Sequence, residues 1–290
     1  MKPAAFSYHR PKSLTEALTL LAQYKLDAKV IAGGQSLVPM MNMRFAQPTH
    51  LIDLNVLSQL AGVRRTGDML EIGAMTRHHE LAANPDVRAC CPLLAYAAAT
   101  IGHYAIRQRG TLGGSLAHAD PAAQIPLVAS ALDARIEVWG PDGSREIPAT
   151  EFLISVMTTA LEPEEIIQLV RFPCRRPFEG HAFELFSRRH GDFAIASCAV
   201  SVVLAGDTFA HIRIGLGGVG DVPLVLDDLA ASYAGRRPDT RAVAELGAHA
   251  AEAIEPEDHR EISIAYRRDL VKTLTQRALA HAIRRALQDS

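Results

Sequence analysis

Phe209-Ala210-His211-Ile212-Arg213-Ile214-Gly215-Leu216-Gly217-Gly218-Val219-Gly220 decides the fold class. Its last six residues fit G-x-G-x-x-G, the dinucleotide-binding fingerprint. That fingerprint needs a doubly buried parallel strand before it and a helix after it. Here the preceding residues alternate instead. Ala210, Ile212, Ile214 and Leu216 face one way, and His211, Arg213 and Gly215 the other. Alternation at period two marks an antiparallel strand with one solvated face. Ala205-Gly206-Asp207 upstream reads as a hairpin turn from a strand over residues 194–204. The glycines therefore end an antiparallel strand, and a nicotinamide-binding Rossmann fold is set aside.

Working outward, Ala182-Phe183-Glu184-Leu185-Phe186 reads as a further strand of the same sheet. The chain ends in a helix, because Leu270, Leu274, Ala278, Ala282 and Ala286 lie four apart on one stripe. Upstream, the polar, proline-flanked stretch Cys174-Arg175-Arg176-Pro177 marks a boundary between a domain of residues 1–175 and one of residues 176–290. Before it, Ser13-Leu14-Thr15-Glu16 has the form of a capping box and opens a first helix. Strands are expected over 29–32, 49–54, 62–65, 69–74, 134–139 and 165–172, and helices over 78–83, 91–99 and 125–132. Residues 89–106 carry no Asp, Glu, Lys or Arg, which raises the question of a membrane span. Pro92, Gly102 and the many alanines make it a buried small-residue helix followed by a turn. The whole reads as α+β.

The 290 residues are 48% apolar and 21% charged, with 30 Lys and Arg against 32 Asp and Glu. That length suits about two domains, and that composition a packed core rather than disorder. The net charge of −2 removes the electrostatic footprint of a nucleic-acid binder and of a polybasic membrane anchor. Cys90, Cys91, Cys174 and Cys198 form no C-x-x-C pair, so neither a metal centre nor a disulfide framework is expected on this chain. The first ten residues lack the apolar core of a signal peptide, and a cytoplasmic location is expected, without membrane insertion. His78-His79 reads as an exposed pair at a helix start. His103 and His118 lack a partnered cysteine or acid at metal spacing, and Arg188-Arg189 reads as a solvated or interface face. Neither a Ser-His-Asp order nor a G-x-S-x-G elbow is present, so no catalytic residues are assigned.

Two other glycine pairs carry more. Ala32-Gly33-Gly34-Gln35-Ser36-Leu37 follows a strand directly. Paired glycines let backbone N–H groups approach a phosphate, Gln35 and Ser36 add side-chain donors, and a helical turn after Ser36 would add its own N–H groups. Thr111-Leu112-Gly113-Gly114-Ser115-Leu116-Ala117-His118-Ala119-Asp120-Pro121 repeats the theme, with Gln124 one turn on. This second stretch reads as a turn, with Asp120 capping a helix that starts at Pro121. A long ligand with a pyrophosphate could lie between the two segments, and each could equally be a tight turn.

These two segments closely resemble the FAD-binding medium subunit of the molybdenum hydroxylases, the group that includes the medium subunit of carbon monoxide dehydrogenase and the flavin domain of xanthine dehydrogenase. The resemblance covers essentially the whole chain, including Arg188-Arg189-His190-Gly191-Asp192-Phe193-Ala194 and the Gly215-Leu216-Gly217-Gly218 strand end. It implies a vanillyl-alcohol-oxidase (PCMH)-type FAD-binding domain in two subdomains, residues 1–57 and 58–175, followed by a C-terminal α+β domain with an antiparallel sheet and helices. It implies that Ala32, Gly33, Gly34, Gln35, Ser36 and Leu37 cradle the FAD pyrophosphate. Thr111, Gly113, Gly114 and Ser115 would form a second wall, with Ala117, His118 and Asp120 in the same loop. Ile101 stands where xanthine dehydrogenase has an aromatic residue near the flavin, Gln124 where many relatives have an acid, and Glu184 where some have lysine. Ile167 would pack on the flavin side. Phe193 replaces a tyrosine beside the isoalloxazine ring, keeping the ring face and losing the hydroxyl.

The implied role is electron transfer. A small subunit with two 2Fe–2S clusters would deliver electrons to FAD on this chain, which passes them to an acceptor. A large molybdenum-cofactor subunit would hydroxylate an organic substrate, with an N-heterocycle favoured. A dimer of heterotrimers is expected. The rival reading is a stand-alone FAD-dependent oxidoreductase acting on a small molecule, which needs acid–base residues that the sequence does not present as a set.

Overall fold

The first sheet is parallel and small. Strands β1 (Ser7–His9), β2 (Ala28–Ile31) and β3 (His50–Asp53) run in the order β1-β3-β2, with helix α1 (Leu14–Tyr24) and helix α2 (Leu37–Asn42) in the connections. The computed structural model describes residues 2–256 and 262–288. Ser13 Oγ caps α1 by accepting the Glu16 N–H at 3.1 Å, while the Glu16 carboxylate takes the Lys12 N–H at 2.7 Å, one residue earlier than a capping box requires. Ala17 and Leu21 of α1 pack on Ile52, Leu54, Leu57 and Leu60 in a core of their own.

A second, antiparallel sheet follows. Its strands are β4 (Val63–Thr66), β5 (Met69–Gly73), β6 (Arg135–Gly140), β7 (Gly143–Pro148) and β10 (Ile166–Pro173), in the order β4-β5-β10-β6-β7. Between β5 and β6 lie six short helices: α3 (His78–Ala83), α4 (Pro85–Cys90), α5 (Pro92–Ala99), α6 (Tyr104–Arg109), α7 (Leu112–His118) and α8 (Gln124–Ala131). Helix α9 (Ala149–Phe152) and the hairpin β8 (Leu153–Ser155) and β9 (Thr158–Thr159) precede β10. The uncharged stretch 89–106 thus breaks into the end of α4, the buried α5 and the start of α6, and no helix among the described residues is long and apolar enough to cross a membrane.

The third sheet is antiparallel, with β11 (Glu179–Phe186), β12 (Ala196–Ala205), β13 (Thr208–Gly217) and β14 (Leu224–Val225) in chain order. Helices α10 (Asp227–Ala231), α11 (Thr240–Glu252) and α12 (Ile264–Gln288) complete the chain. As expected from its stripe, α12 buries Leu274, Ala278, Ala282 and Ala286 against this sheet. The turn at Gly206-Asp207 joins β12 to β13, with Ala205 opposite Thr208. One face assignment shifts: the β12–β13 register slips between Val203 and Leu204, leaving Ala210 as an extra residue. Bulging reverses the alternation beyond it, so Phe209 is buried and Ala210 exposed. Strand β12 is buried on both faces, with Val200 and Val202 toward α12 and Ala199 in the core that holds α5 and α8. The long apolar run 196–204 is explained by that double cover.

His78 is not exposed, as its place at a helix start suggested, but 5% accessible. Its Nε2–H donates to the Thr111 carbonyl at 2.9 Å, and its Nδ1 has no partner among the described residues. Burial, with Arg107 and Arg77 nearby, pushes its pKa down to about 4 against the pull of the Thr111 bond.

Two predictions follow from this packing. A Cβ on Gly180 would lie 1.9 Å from the Ala282 carbonyl oxygen of α12. Gly180→Ala should therefore cost about 2–3 kcal/mol in urea unfolding, whereas Gly67→Ala, in open space at φ +60, should cost only about 1 kcal/mol. His78 stays neutral in the fold while the unfolded chain protonates near its ordinary value. The stability it contributes is complete above pH 6.5 and is lost as the pH falls toward 4, amounting to about 3 kcal/mol. Unfolding curves of the wild type and His78→Gln across that window should diverge by this amount; parallel pH profiles would contradict the assignment.

Candidate functional site

Strand β2 ends at Ile31, and Gly33 and Gly34 swing the chain into α2. Gly34 sits at φ +70, a conformation that a side chain disfavours. Gly33 serves a close approach: a Cβ there would stand 2.2 Å from the Arg109 carbonyl oxygen and 2.8 Å from Gly110 Cα. Three of the nearby carbonyls are engaged. Ala32 accepts from Asn55 Nδ2 at 2.8 Å, Gly33 from Gln35 Nε2 at 3.0 Å, and Gly34 from the Val38 N–H at 3.1 Å. The backbone N–H groups of Gly33, Gly34, Gln35, Ser36 and Leu37, by contrast, meet no acceptor among the described residues. Ser36 makes no side-chain cap on α2, so its hydroxyl is also available. The segment thus presents a run of donors, the arrangement an extended anion such as a diphosphate requires.

The second glycine pair is not a turn. Thr111 caps α7, and Gly113 and Gly114 lie inside its first turn. Its amides are occupied: Leu112 N–H bonds Thr76 O at 3.0 Å, Gly113 N–H bonds Ala74 O at 2.8 Å, and Gly114 N–H bonds Thr111 Oγ1 at 3.1 Å. The Ser115 N–H likewise bonds the Thr111 carbonyl at 3.1 Å. Gly113 lets α7 press on Ala74, whose Cβ would be 2.6 Å from a Cβ on the glycine. Gly114 brings the helix to Ala32, at 3.6 Å between the corresponding Cβ positions. The two segments are therefore neighbours, one supplying free donors and the other a bonded wall that carries Ser115.

Asp120 does not cap a helix at Pro121. Ala119 ends α7 in the left-handed conformation, at φ 49. Asp120 Oδ1 then accepts the Ala122 N–H at 2.8 Å in a turn, and α8 begins only at Gln124, which is buried. Ala117 is exposed and His118 half-buried on the last turn of α7. Ile101 is half-buried beside the Gly102-His103 turn, which Arg107 Nη1 holds through the Ile101 and Gly102 carbonyls at 2.9 Å each. Phe193 is 58% exposed in the loop after β11. That loop rests on the same turn, because a Cβ on Gly191 would be 2.7 Å from the His103 ring. Ile167 is buried in the core of the second sheet, just before a bulge at Gln168 whose carbonyl takes the Ala74 N–H at 2.9 Å. Glu184 is engaged elsewhere, accepting from His281 Nδ1 of α12 at 2.8 Å.

Four residues that sequence reasoning missed tie the segments together. Tyr8 donates its hydroxyl to Asp53 Oδ2. Asp53 Oδ1 accepts from the Asn55 N–H at 2.8 Å and from Asn55 Nδ2 at 2.5 Å. Burial raises the Asp53 carboxyl, but the Tyr8 hydroxyl and the two Asn55 donors outweigh it and hold it below its ordinary value. Arg77 spans the gap, with Nη2 donating to Asn55 Oδ1 at 2.6 Å and Nη1 to the Arg109 carbonyl. No spacing rule links positions 53, 55, 77 and 109. The only local signal was a polar Asp53-Leu54-Asn55 at a strand end.

Comparison with known proteins accords with this geometry. Residues 4–175 match the FAD binding domain in molybdopterin dehydrogenase, and residues 181–282 match the CO dehydrogenase flavoprotein C-terminal domain. The chain is 40% identical to the carbon monoxide dehydrogenase medium chain of Hydrogenophaga pseudoflava, covering 96% of this chain and 97% of that one. It is 39% identical to the 6-hydroxypseudooxynicotine dehydrogenase complex subunit alpha of Paenarthrobacter nicotinovorans, over 99% and 97% of the two. Among solved structures, quinoline 2-oxidoreductase from Pseudomonas putida 86 superposes with a TM-score of 0.95 at 34% identity, over 99% of this chain and 100% of that one. Matched along its whole length, the chain belongs to the FAD-binding medium subunits of the molybdenum hydroxylases, a family of oxidoreductases.

Proposed function

We propose that this chain is the electron-transfer subunit of a heterotrimeric molybdenum hydroxylase. It takes electrons from the 2Fe–2S clusters of a small subunit and passes them to an external acceptor, while a large molybdenum subunit hydroxylates the organic substrate. The observation that carries the reading is the row of five N–H groups at residues 33–37 with no acceptor among the described residues, beside the wall of α7. FAD bound there supplies exchange between one-electron and two-electron carriers.

The protein's own contribution is binding and orientation. Gly33 to Leu37 offer backbone donors to the pyrophosphate, with Ala32 and Gln35 shaping the loop. Thr111, Gly113, Gly114 and Ser115 form the facing wall, and Ala117, His118, Asp120 and Gln124 continue it. Ile101, Phe193 and Ile167 are assigned to the ring end, where the loop of Gly191 rests on the His103 turn. Glu184, bound to His281, acts there at most through α12. The division of the chain at 175/176 places these segments in the FAD domain, with the C-terminal domain contributing Phe193 and Glu184. Cluster ligation needs several thiolates at short spacing, and Cys90, Cys91, Cys174 and Cys198 form no such set in the sequence. The clusters are therefore assigned to a partner chain. Two of the relatives carry 6-hydroxypseudooxynicotine and quinoline in their names, which supports an N-heterocycle as the substrate class. A dimer of heterotrimers and a cytoplasmic location complete the proposal.

The test is purification of the chain with its neighbours, followed by anaerobic addition of candidate N-heterocycles. Flavin and iron–sulfur absorbance should co-purify with a small and a large subunit, and the flavin band should bleach only in the assembled complex. A lone chain that turns over a substrate unaided would replace this proposal with the stand-alone oxidoreductase. Gly33→Ala, whose new methyl collides with a backbone oxygen, should lower the flavin-to-protein absorbance ratio at least about tenfold with the far-ultraviolet circular dichroism unchanged.

A further inference from the structure

We infer that Arg77, acting through Asn55, is the positioning residue that fixes the donor segment 32–37 against residues 109–111 and so sets the affinity for the pyrophosphate. The inference rests on the flavin reading above and assigns a role that the glycine segments alone do not explain.

The argument starts from what holds the loop. Residues 32–37 make few bonds of their own, since five successive amides are left free. A loop so underbonded keeps one shape only if something outside it is rigid. Two external contacts serve. On one side Asn55 Nδ2 holds the Ala32 carbonyl at 2.8 Å. On the other, Gly33 presses on the Arg109 carbonyl oxygen, which would be 2.2 Å from a Cβ on that glycine. Arg77 binds both supports at once, Asn55 through Nη2 at 2.6 Å and the Arg109 carbonyl through Nη1.

The fork matters. The two acceptors belong to segments more than fifty residues apart in sequence, and a planar guanidinium reaches both with fixed geometry, which a lysine ammonium cannot reproduce. The orientation of Asn55 is not free either. Its Nδ2 also donates to Asp53 Oδ1 at 2.5 Å, so its Oδ1 must face Arg77. Asp53 is itself held by Tyr8. At the other end the Arg77 backbone N–H is anchored on Glu80 Oε2 at 2.8 Å. The chain of bonds from Tyr8 to Arg109 thus supports the donor segment without occupying any of its amides. Arg77 also adds positive charge beside a segment built for an anion.

The experiment uses the full chain, stripped of flavin and titrated with FAD, together with phosphorus NMR of the bound cofactor. Arg77→Met should raise the FAD dissociation constant about 10- to 100-fold and Arg77→Lys about 3- to 10-fold. In both, the two phosphorus resonances should move, a readout that a merely structural role would leave in place. Asn55→Ala should weaken binding similarly, and adding it to Arg77→Met should cost little more, because the two act in series. If Arg77→Met does not fold, Arg77→Lys and Asn55→Ala decide by the same criteria. Dissociation constants within about twofold of wild type and unmoved phosphorus resonances would overturn the inference while leaving the flavin reading intact. A wild-type chain without affinity for FAD would instead overturn the flavin reading, and this inference with it.

Discussion

The contact on which the site depends is the absence of a side chain at Gly33. Because that residue has no Cβ, the loop after β2 can lie on the Arg109 carbonyl at a distance no other residue allows. Once it does, the neighbouring constraints close around it. Gly114 brings α7 to Ala32, Gly113 brings it to Ala74, and Thr111 caps the helix while its carbonyl takes the buried His78 N–H. Two segments far apart in sequence become neighbours. Their amides divide the labour: those of α7 are spent on structure, and those of residues 33–37 have no acceptor among the described residues. An unsatisfied donor is costly when buried and useful when a ligand is its intended partner.

The third glycine cluster has a comparable job at another joint. Gly215 and Gly217 are small because α8 lies on β13, with Leu127 and Ala131 where their side chains would be. The Gly218 N–H then bonds the Pro121 carbonyl at 2.9 Å, and its own carbonyl accepts from Arg267 of α12. The last sheet is thereby fastened to the segment that follows α7. Its loop carrying Phe193 is fastened to the His103 turn. All three glycine clusters serve close approach of backbone, and the first also leaves five successive amides without an acceptor among the described residues.

Much of this was legible in the sequence, for identifiable reasons. The alternation before Gly215 was enough to separate an antiparallel strand from a dinucleotide fold, because burial of one face imposes period two. The stripe of α12 was legible because it runs for several turns. The six-residue helices α4 and α6 were not, since so short a run shows no period, and α4 is set instead by the Asn84 side chain accepting the Asp86 and Val87 N–H groups. The α7 start was misread as a turn because two adjacent glycines disfavour a helix locally; tertiary packing on Ala74 and Ala32 overrides that preference. The bulge at Ala210 and the burial of His78 depend on partners remote in sequence. So does the bond series through Asp53, Asn55 and Arg77, where polar residues of ordinary appearance acquire their role only from the fold.

The central claim is that the free amides of residues 33–37, and not those of α7, receive the cofactor's diphosphate. Amide hydrogen exchange of the full chain with and without FAD addresses it directly. The account predicts fast exchange at residues 33–37 in the free chain and slowing of at least about tenfold on binding, with residues 112–115 protected to the same degree in both states. New protection at residues 112–115, with residues 33–37 unchanged, would contradict it.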